Sequence, residues 1–306
     1  MSQANELRSL VAGSVTENKP LAPFTTFRIG GNAKIFVEPE SVDDIIRVQA
    51  FVKEHNLPFF ILGNGSNVLI SDEGWNGVVM NLEDGFTLLE YSDGTVYVGA
   101  GVKMAIFVDF CIKNHRKGVE MLAGIPATIG GAVWMNAGCY GGEIADTITE
   151  VELVRNGKHI WLPKEECDFR YRHSGFGKDD IVIGAKFKMG EGDSAELREI
   201  KLNHLKHRNE VQPVSMPNCG SVFKNPKPHF SAELIESVGL KGTKIGGAQI
   251  SMKHANFITN LESASAEDVI ALINLERKTV FDSTGIILDP EVQLVGFKEN
   301  PILPLS

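Results

Sequence analysis

Between Glu120 and Glu143 the chain carries no charged side chain for 22 residues, Met121 to Gly142, and this stretch limits the possible folds more than any other. A run so long and uncharged has the length to cross a bilayer. Its six glycines, Pro126 and Asn136 argue against that, because a lipid-exposed helix of such residues packs poorly and leaves backbone groups unsatisfied. The same residues suit backbone that must approach something closely, and we read the stretch as buried loop structure.

The remainder of the 306 residues is that of an ordinary globular protein, with 43% hydrophobic and 23% charged positions, enough apolar surface for one large domain or two to three smaller ones. A formal charge of −9 repels a polyphosphate backbone, so nucleic acid is not an expected partner, although a local basic pocket for a small anion stays open. Cys111, Cys139, Cys167 and Cys219 lie far apart with no C-x-x-C pair, which fits neither a zinc knuckle nor a disulfide scaffold and matches a reducing cytoplasm. Glu6 and Arg8 interrupt the N-terminus where a secretory signal would need an apolar run. A cytoplasmic protein is expected.

Along the chain, Ala33 to Val37 reads as a strand, and Ser41 caps a helix with Ile45, Ile46, Val48 and Val52 on its buried face. Phe59 to Leu62 is a second strand, followed by a polar glycine loop and extended pieces at Val68 to Ile70 and Val78 to Leu82. Asp93-Gly94 and Asn156-Gly157 each separate two short apolar runs and predict hairpins, because those dipeptides accept the positive φ that tight turns demand. Helices are expected at Met104 to Asn114, Glu196 to Asn209, from a Ser231 cap to Gly239, and from Ala266 to about Phe281, with strands at Ile181 to Lys188 and near Asn256 to Thr259. Four prolines between Gln212 and Pro228 mark a change of subdomain. The expected division is 1–84, 85–192 and 193–306.

Several segments have the composition for chemistry. Gly63-Asn64-Gly65-Ser66-Asn67 follows an apolar strand and can aim backbone N–H groups at a phosphate; the same five residues also suit a surface turn. A Rossmann fingerprint would use Glu83, twenty residues after Gly63, but Val68 occupies the third glycine's place and strands follow where a helix is required. Ala123 to Ala132, including Gly124, Ile125, Pro126, Thr128, Gly130 and Gly131, would let a planar or diphosphate ligand lie against backbone, or would pack one strand closely on another. Together the two glycine segments favour a nucleotide cofactor.

Arg170 to Ser174 offers guanidinium groups for a substrate carboxylate, or a solvated turn. Asn218 to Pro226 presents the Ser221 hydroxyl, the Lys224 amine and the Asn225 amide beside Gly220, without the G-x-S-x-G of a hydrolase. Glu291 reads as an exposed turn carboxylate. His204 and His207 share a helix face but look solvated, so no metal site is expected, and Cys219 is read as packing.

Six segments in one order, Thr25 to Ala33, the Gly63 loop, Gly124 to Ala132, Tyr171 to Ser174, Gly220 to Pro226 and Pro290 to Val292, resemble the UDP-N-acetylenolpyruvoylglucosamine reductase family over residues 20–296. The resemblance implies an α+β protein: a two-subdomain FAD-binding fold of the PCMH, or vanillyl-alcohol-oxidase-like, type, followed by a C-terminal α+β substrate-binding domain. It is to the shorter type, without a tyrosine-bearing loop over the substrate diphosphate. It also implies an NADPH-dependent flavoenzyme making UDP-N-acetylmuramate for peptidoglycan, and so serving cell-wall biogenesis, cell shape and cell division. By motif, Gly63, Asn64, Gly65, Ser66, Asn67 and Gly124 to Gly131 would hold FAD, while Arg172, Ser221 and Glu291 match the catalytic positions. Asn225 would bind the substrate's diphosphate or sugar, and Lys224, with Lys206 and Arg208, is a candidate for its anionic groups. The competing readings are another FAD oxidoreductase of this fold and a non-catalytic nucleotide-sugar or flavin binder.

Overall fold

In the computed structural model, which describes residues 2–305, the chain forms two compact units. One contains the residues through Asn18, Lys34–Asn64 and Gly77–His207; the other contains Lys19–Ala33, Gly65–Asn76 and the chain from Arg208 onward. Seven helices are present among the described residues: α1 (Gln3–Leu10), α2 (Val42–Glu54), α3 (Met104–Lys113), α4 (Ile129–Trp134), α5 (Ser194–Val211), α6 (Ser231–Ser237) and α7 (Ala266–Thr284). Mixed helices and strands in both units make this an α+β protein.

The first unit is organised by a five-stranded antiparallel sheet in the order Lys158–Pro163, Ile148–Arg155, Ile181–Lys188, Thr95–Gly99, Leu89–Ser92. Two of its connections are the expected hairpins: Asp93 and Gly94 have φ of 50° and 78°, Asn156 and Gly157 of 51° and 73°. Apolar residues of this sheet pack with those of α3 and α4, with Phe107 and Phe187 rings 4.8 Å apart inside one core. Most of a second sheet, Ser14–Pro20, Asn32–Glu38, Trp75–Met80 and Phe59–Ile61, also lies here, its last two strands parallel. Ser41 caps α2 as expected, accepting the Asp44 N–H at 3.1 Å.

The uncharged stretch, expected from its glycines to be buried loop, is only partly loop. Glu120–Gly124 forms a 3-10 turn, Ile129–Trp134 forms α4, and Gly138–Cys139 pairs with Gly142–Glu143. Thr128 caps α4, its hydroxyl accepting the Gly131 N–H, and the first two helical residues are tied down by Ile129 N–H to Val102 O and Gly130 N–H to Ala100 O, both at 2.9 Å. A glycine pair inside a short helix is tolerated because tertiary hydrogen bonds hold its first turn.

The second unit packs α6 and α7 with a small antiparallel sheet, Lys244–Ile245, Ala248–Ile250 and Ile258–Asn260, and a parallel pair, Val68–Ile70 with Gln293–Val295. Its core includes Phe27, Leu69, Phe223, Leu272, Ile273 and Leu288. Ser265 and Asp268 form a reciprocal capping box on α7, and Gly285, at φ 71°, ends it. Ser231, expected as a cap, is instead the first residue of α6: its N–H donates to Asn225 Oδ1 at 3.0 Å and its hydroxyl to Lys224 O at 2.6 Å.

Candidate active site

The glycine loop starts in the first unit at the end of strand Phe59–Ile61. A Cβ on Gly63 would sit 2.5 Å from Thr128 Oγ1, so only glycine lets these two segments close on each other. Asn64 then fastens them: its amide nitrogen donates to Pro126 O, and its Oδ1 accepts from Lys103 Nζ at 2.7 Å. Lys103 is also ion-paired with Glu83 at 2.5 Å and forms a β-bridge with Thr128. Gly130 has a packing role, since a Cβ there would lie 2.9 Å from that of Ala100. Among the described residues, the N–H groups of Asn64, Gly65 and Ser66 have no identified protein acceptor. The loop continues as Gly65, Ser66 and Asn67 in the second unit, where Gly65 O accepts the Thr26 N–H at 3.1 Å and Gly65 is at φ 60°.

Arg172 belongs to the first unit and occupies the third position of a turn closed by mutual backbone bonds of Arg170 and His173 at 3.1 and 3.0 Å. Its φ of 53° is unusual for a side chain of this size. The guanidinium donates to Gly138 O at 2.7 Å and lies 4.9 Å from the centre of the Tyr171 ring. Buried Asn136 anchors the turn, donating to Arg170 O at 3.0 Å while its Oδ1 accepts the Ala145 N–H at 2.9 Å. Ser174 Oγ adds a bond to Trp134 O.

In the second unit, the segments that carry Ser221 and Glu291, 70 positions apart, are hydrogen-bonded to each other. The Glu291 N–H donates to Val222 O at 2.8 Å, and Phe223 bridges Pro290 on the same extended backbone. Asn67 Nδ2 donates to Glu291 O at 3.2 Å. Gly220, at φ 78°, delivers the chain to Ser221, its N–H accepted by Asn218 Oδ1 at 2.8 Å. Buried Asn256 bonds both backbone groups of Phe223, at 2.9 and 2.8 Å, and its own carbonyl accepts the Val222 N–H. Ser221 is partly exposed, and among the described residues no protein partner is identified for its hydroxyl. Lys224 is paired with Asp289 at 2.9 Å, while Asn225 spends its carbonyl oxygen on α6 and keeps its amide hydrogens for other acceptors.

Cys219 is buried, and desolvation pushes its thiol well above the usual range, as expected of a packing residue. Thr25 has an internal role: its hydroxyl donates to Ala22 O and accepts the Ile29 N–H. His207 is exposed, as expected, and His204 partly so, and both meet the exposed Tyr140 ring, His204 stacked at 4.6 Å and His207 edge-on at 5.9 Å. No helix among the described residues is long and apolar enough to cross a membrane.

Residues 212–295 match the family model described as "UDP-N-acetylenolpyruvoylglucosamine reductase, C-terminal domain", and residues 33–162 match that of an "FAD binding domain". A UDP-N-acetylenolpyruvoylglucosamine reductase from Anoxybacillus flavithermus is 40% identical over 296 residues, 96% of this chain and 98% of its own. The chain belongs to the UDP-N-acetylenolpyruvoylglucosamine reductase family. Another member, from Lachnoclostridium phytofermentans, is 40% identical over 305 residues, 97% of this chain and 98% of its own. The crystal structure of the reductase from Thermus caldophilus superposes with a TM-score of 0.80 at 33% identity, covering 93% of this chain and 99% of that one. The reductase family's C-terminal model takes in Ser221, Lys224, Asn225 and Glu291. The FAD binding model takes in the glycine loop and the segment 124–131, whereas Arg172 lies between the two matched stretches.

The residues of the first unit fit FAD on their own chemistry. An Asn64 N–H with no protein acceptor identified among the described residues, an uncharged segment beside it and an ammonium at Lys103 suit a flat ring system joined to a diphosphate. Gly63 and Thr128 are legible in the sequence, whereas Lys103, Asn136 and Asn256 are not. Lys103 and Asn256 carry no local motif, and Asn136 stands out in the sequence only as a polar residue that argues against a membrane span.

Proposed function

We propose that this protein is an FAD-dependent reductase of UDP-N-acetylenolpyruvoylglucosamine, using NADPH to form UDP-N-acetylmuramate for peptidoglycan precursors. Membership of the family is the observation that carries the substrate and the chemistry, and it is supported by Ser221 and Glu291 lying on two segments of the matched C-terminal stretch whose backbones are hydrogen-bonded at Val222 and Glu291. A cytoplasmic site of action follows from that role.

Gly63, Asn64, Thr128 and the backbone of 124–131, with Gly65 to Asn67, would hold the cofactor. When bound, FAD supplies to C3 of the enolpyruvyl ether a hydride taken from NADPH. Electron density then accumulates at C2 and on its carboxylate. Arg172, permanently charged and planar, neutralises that carboxylate. Ser221 gives its proton to C2, forming the new C–H bond, and regains one from solvent. A serine is a weak acid, so it serves here only because the carbon it quenches is strongly basic. Glu291 bonds to the substrate carboxyl region or orients the groups around it, and Asn225 and Lys224 contact the nucleotide-sugar portion.

An anaerobic cuvette tests the whole reading. Protein loaded with FAD should lose its yellow colour on NADPH and recover it on addition of UDP-N-acetylenolpyruvoylglucosamine, with UDP-N-acetylmuramate formed in equal amount. Bleaching without recovery would favour another oxidoreductase of this fold. Binding of the nucleotide sugar without bleaching would favour a non-catalytic binder.

A further inference from the structure

The FAD diphosphate carries negative charge, and so does this chain, by nine units, while the loop 63–67 and the segment 121–142 hold no charged side chain. Backbone N–H groups of the loop can donate to it, but a full compensating charge must come from a cation set beside them. Lys103 is such a cation: its ammonium is hydrogen-bonded to Asn64 of the loop, and its backbone is bridged to Thr128 of the segment. An ammonium has three donors. Asn64 Oδ1 and Glu83 Oε1 take two of them, at 2.7 and 2.5 Å, and the side chain is partly exposed, so one donor is left for an anion.

We infer that Lys103 is the counter-charge for the cofactor's diphosphate and that Glu83 opposes it, so that this ion pair tunes how tightly the protein holds FAD. The inference rests on the FAD reading of the site and goes beyond it by assigning two residues outside both glycine segments. Glu83 orients the ammonium toward Asn64, but its negative charge lies within one ion pair of the site and competes for the same donors. Removing the two partners should then act in opposite directions. A purely structural strut behaves differently, since breaking it from either end loosens the loops.

The test is the affinity of the apoprotein for FAD and for riboflavin, which lacks phosphate, read by flavin fluorescence at several salt concentrations, with apoprotein melting as a folding control. Lys103→Met should weaken FAD binding about tenfold or more, the size of one charged hydrogen bond, and flatten its salt dependence. Lys103→Arg should retain most of the affinity. Glu83→Gln should tighten FAD several-fold, and riboflavin binding should be indifferent to all three changes. Weaker FAD binding in Glu83→Gln, or equal losses for FAD and riboflavin in Lys103→Met, overturns the inference. A wild-type protein that binds no FAD overturns the cofactor reading itself. Should Lys103→Met fail to fold, the sign of the Glu83→Gln effect still decides.

Discussion

The Glu291 amide donates to the Val222 carbonyl at 2.8 Å, and this one bond ties the Glu291 backbone to the residue that follows Ser221 in the chain. Because Val292 N also approaches Val222 O, at 3.4 Å, and Phe223 bridges Pro290, the register is fixed on both sides. Ser221 and Glu291 are therefore carried on two segments whose backbones are hydrogen-bonded to each other.

From that arrangement, Ser221→Ala should reduce normally with NADPH but reoxidise with the enolpyruvyl substrate roughly 10²–10⁴-fold more slowly, the range for loss of a general acid. Stopped-flow absorbance separates the two half-reactions. Equal slowing of both would remove the hydroxyl from proton delivery.

Asn256 supports the same register from inside the core. Asn256→Ala leaves the N–H and C=O of buried Phe223 without their partners and should cost about 2–4 kcal/mol of stability. Asn256→Asp, which keeps an acceptor for Phe223 N–H, should lose less. Denaturant titration of the three proteins checks the order, and an Asn256→Ala variant as stable as wild type would contradict it.

How much of this could be read in the sequence depends on the range of the interaction. Asp93-Gly94 and Asn156-Gly157 announce their turns because positive φ is a property of those residues themselves. Ser231 misleads because the acceptor for its N–H, Asn225, comes from an upstream loop and not from the helix's own preceding residue. Thr128 to Trp134 reads as loop from its glycines, yet carbonyls of Ala100 and Val102 hold it as helix. The segments of Ser221 and Glu291 are joined by backbone bonds of Val222 with Glu291 and Val292 that no spacing rule encodes, so only the order of six motifs points to them together. Lys103 looks like any lysine before a helix.

Gly63 should be intolerant of the smallest side chain. Gly63→Ala places a methyl 2.5 Å from Thr128 Oγ1, which must move the segment that carries Asn64 and Pro126 contacts. Overpacking of this kind costs about 1–3 kcal/mol, and the displaced loop should hold FAD at least tenfold more weakly. Thr128→Ala in the same protein removes the clashing oxygen and should recover part of the affinity in a fluorescence titration. Full FAD affinity in Gly63→Ala alone would show that the close approach is not required.

Glu276 lies on the buried face of α7, is 0% exposed, and among the described residues neither of its oxygens has a hydrogen-bond partner. Burial raises its pKa well above the usual carboxylate value of 4.5, so the folded state favours the protonated acid. The unfolded chain releases that proton near 4.5, whereas the folded protein keeps it to higher pH. Stability from this group is thus full below pH 4.5 and declines as pH rises toward the folded pKa, by up to about 1.4 kcal/mol per pH unit. Glu276→Leu removes the titration and gives the apolar surroundings, which include Leu272, Ile273 and Val280, a partner of like kind. It should be more stable than wild type by about 1–3 kcal/mol at pH 8, with a smaller gain at pH 5. Denaturant unfolding of both proteins at the two pH values measures the difference, and a gain that is equal at both, or larger at pH 5, would mean that Glu276 is not the buried acid that burial without partners makes it.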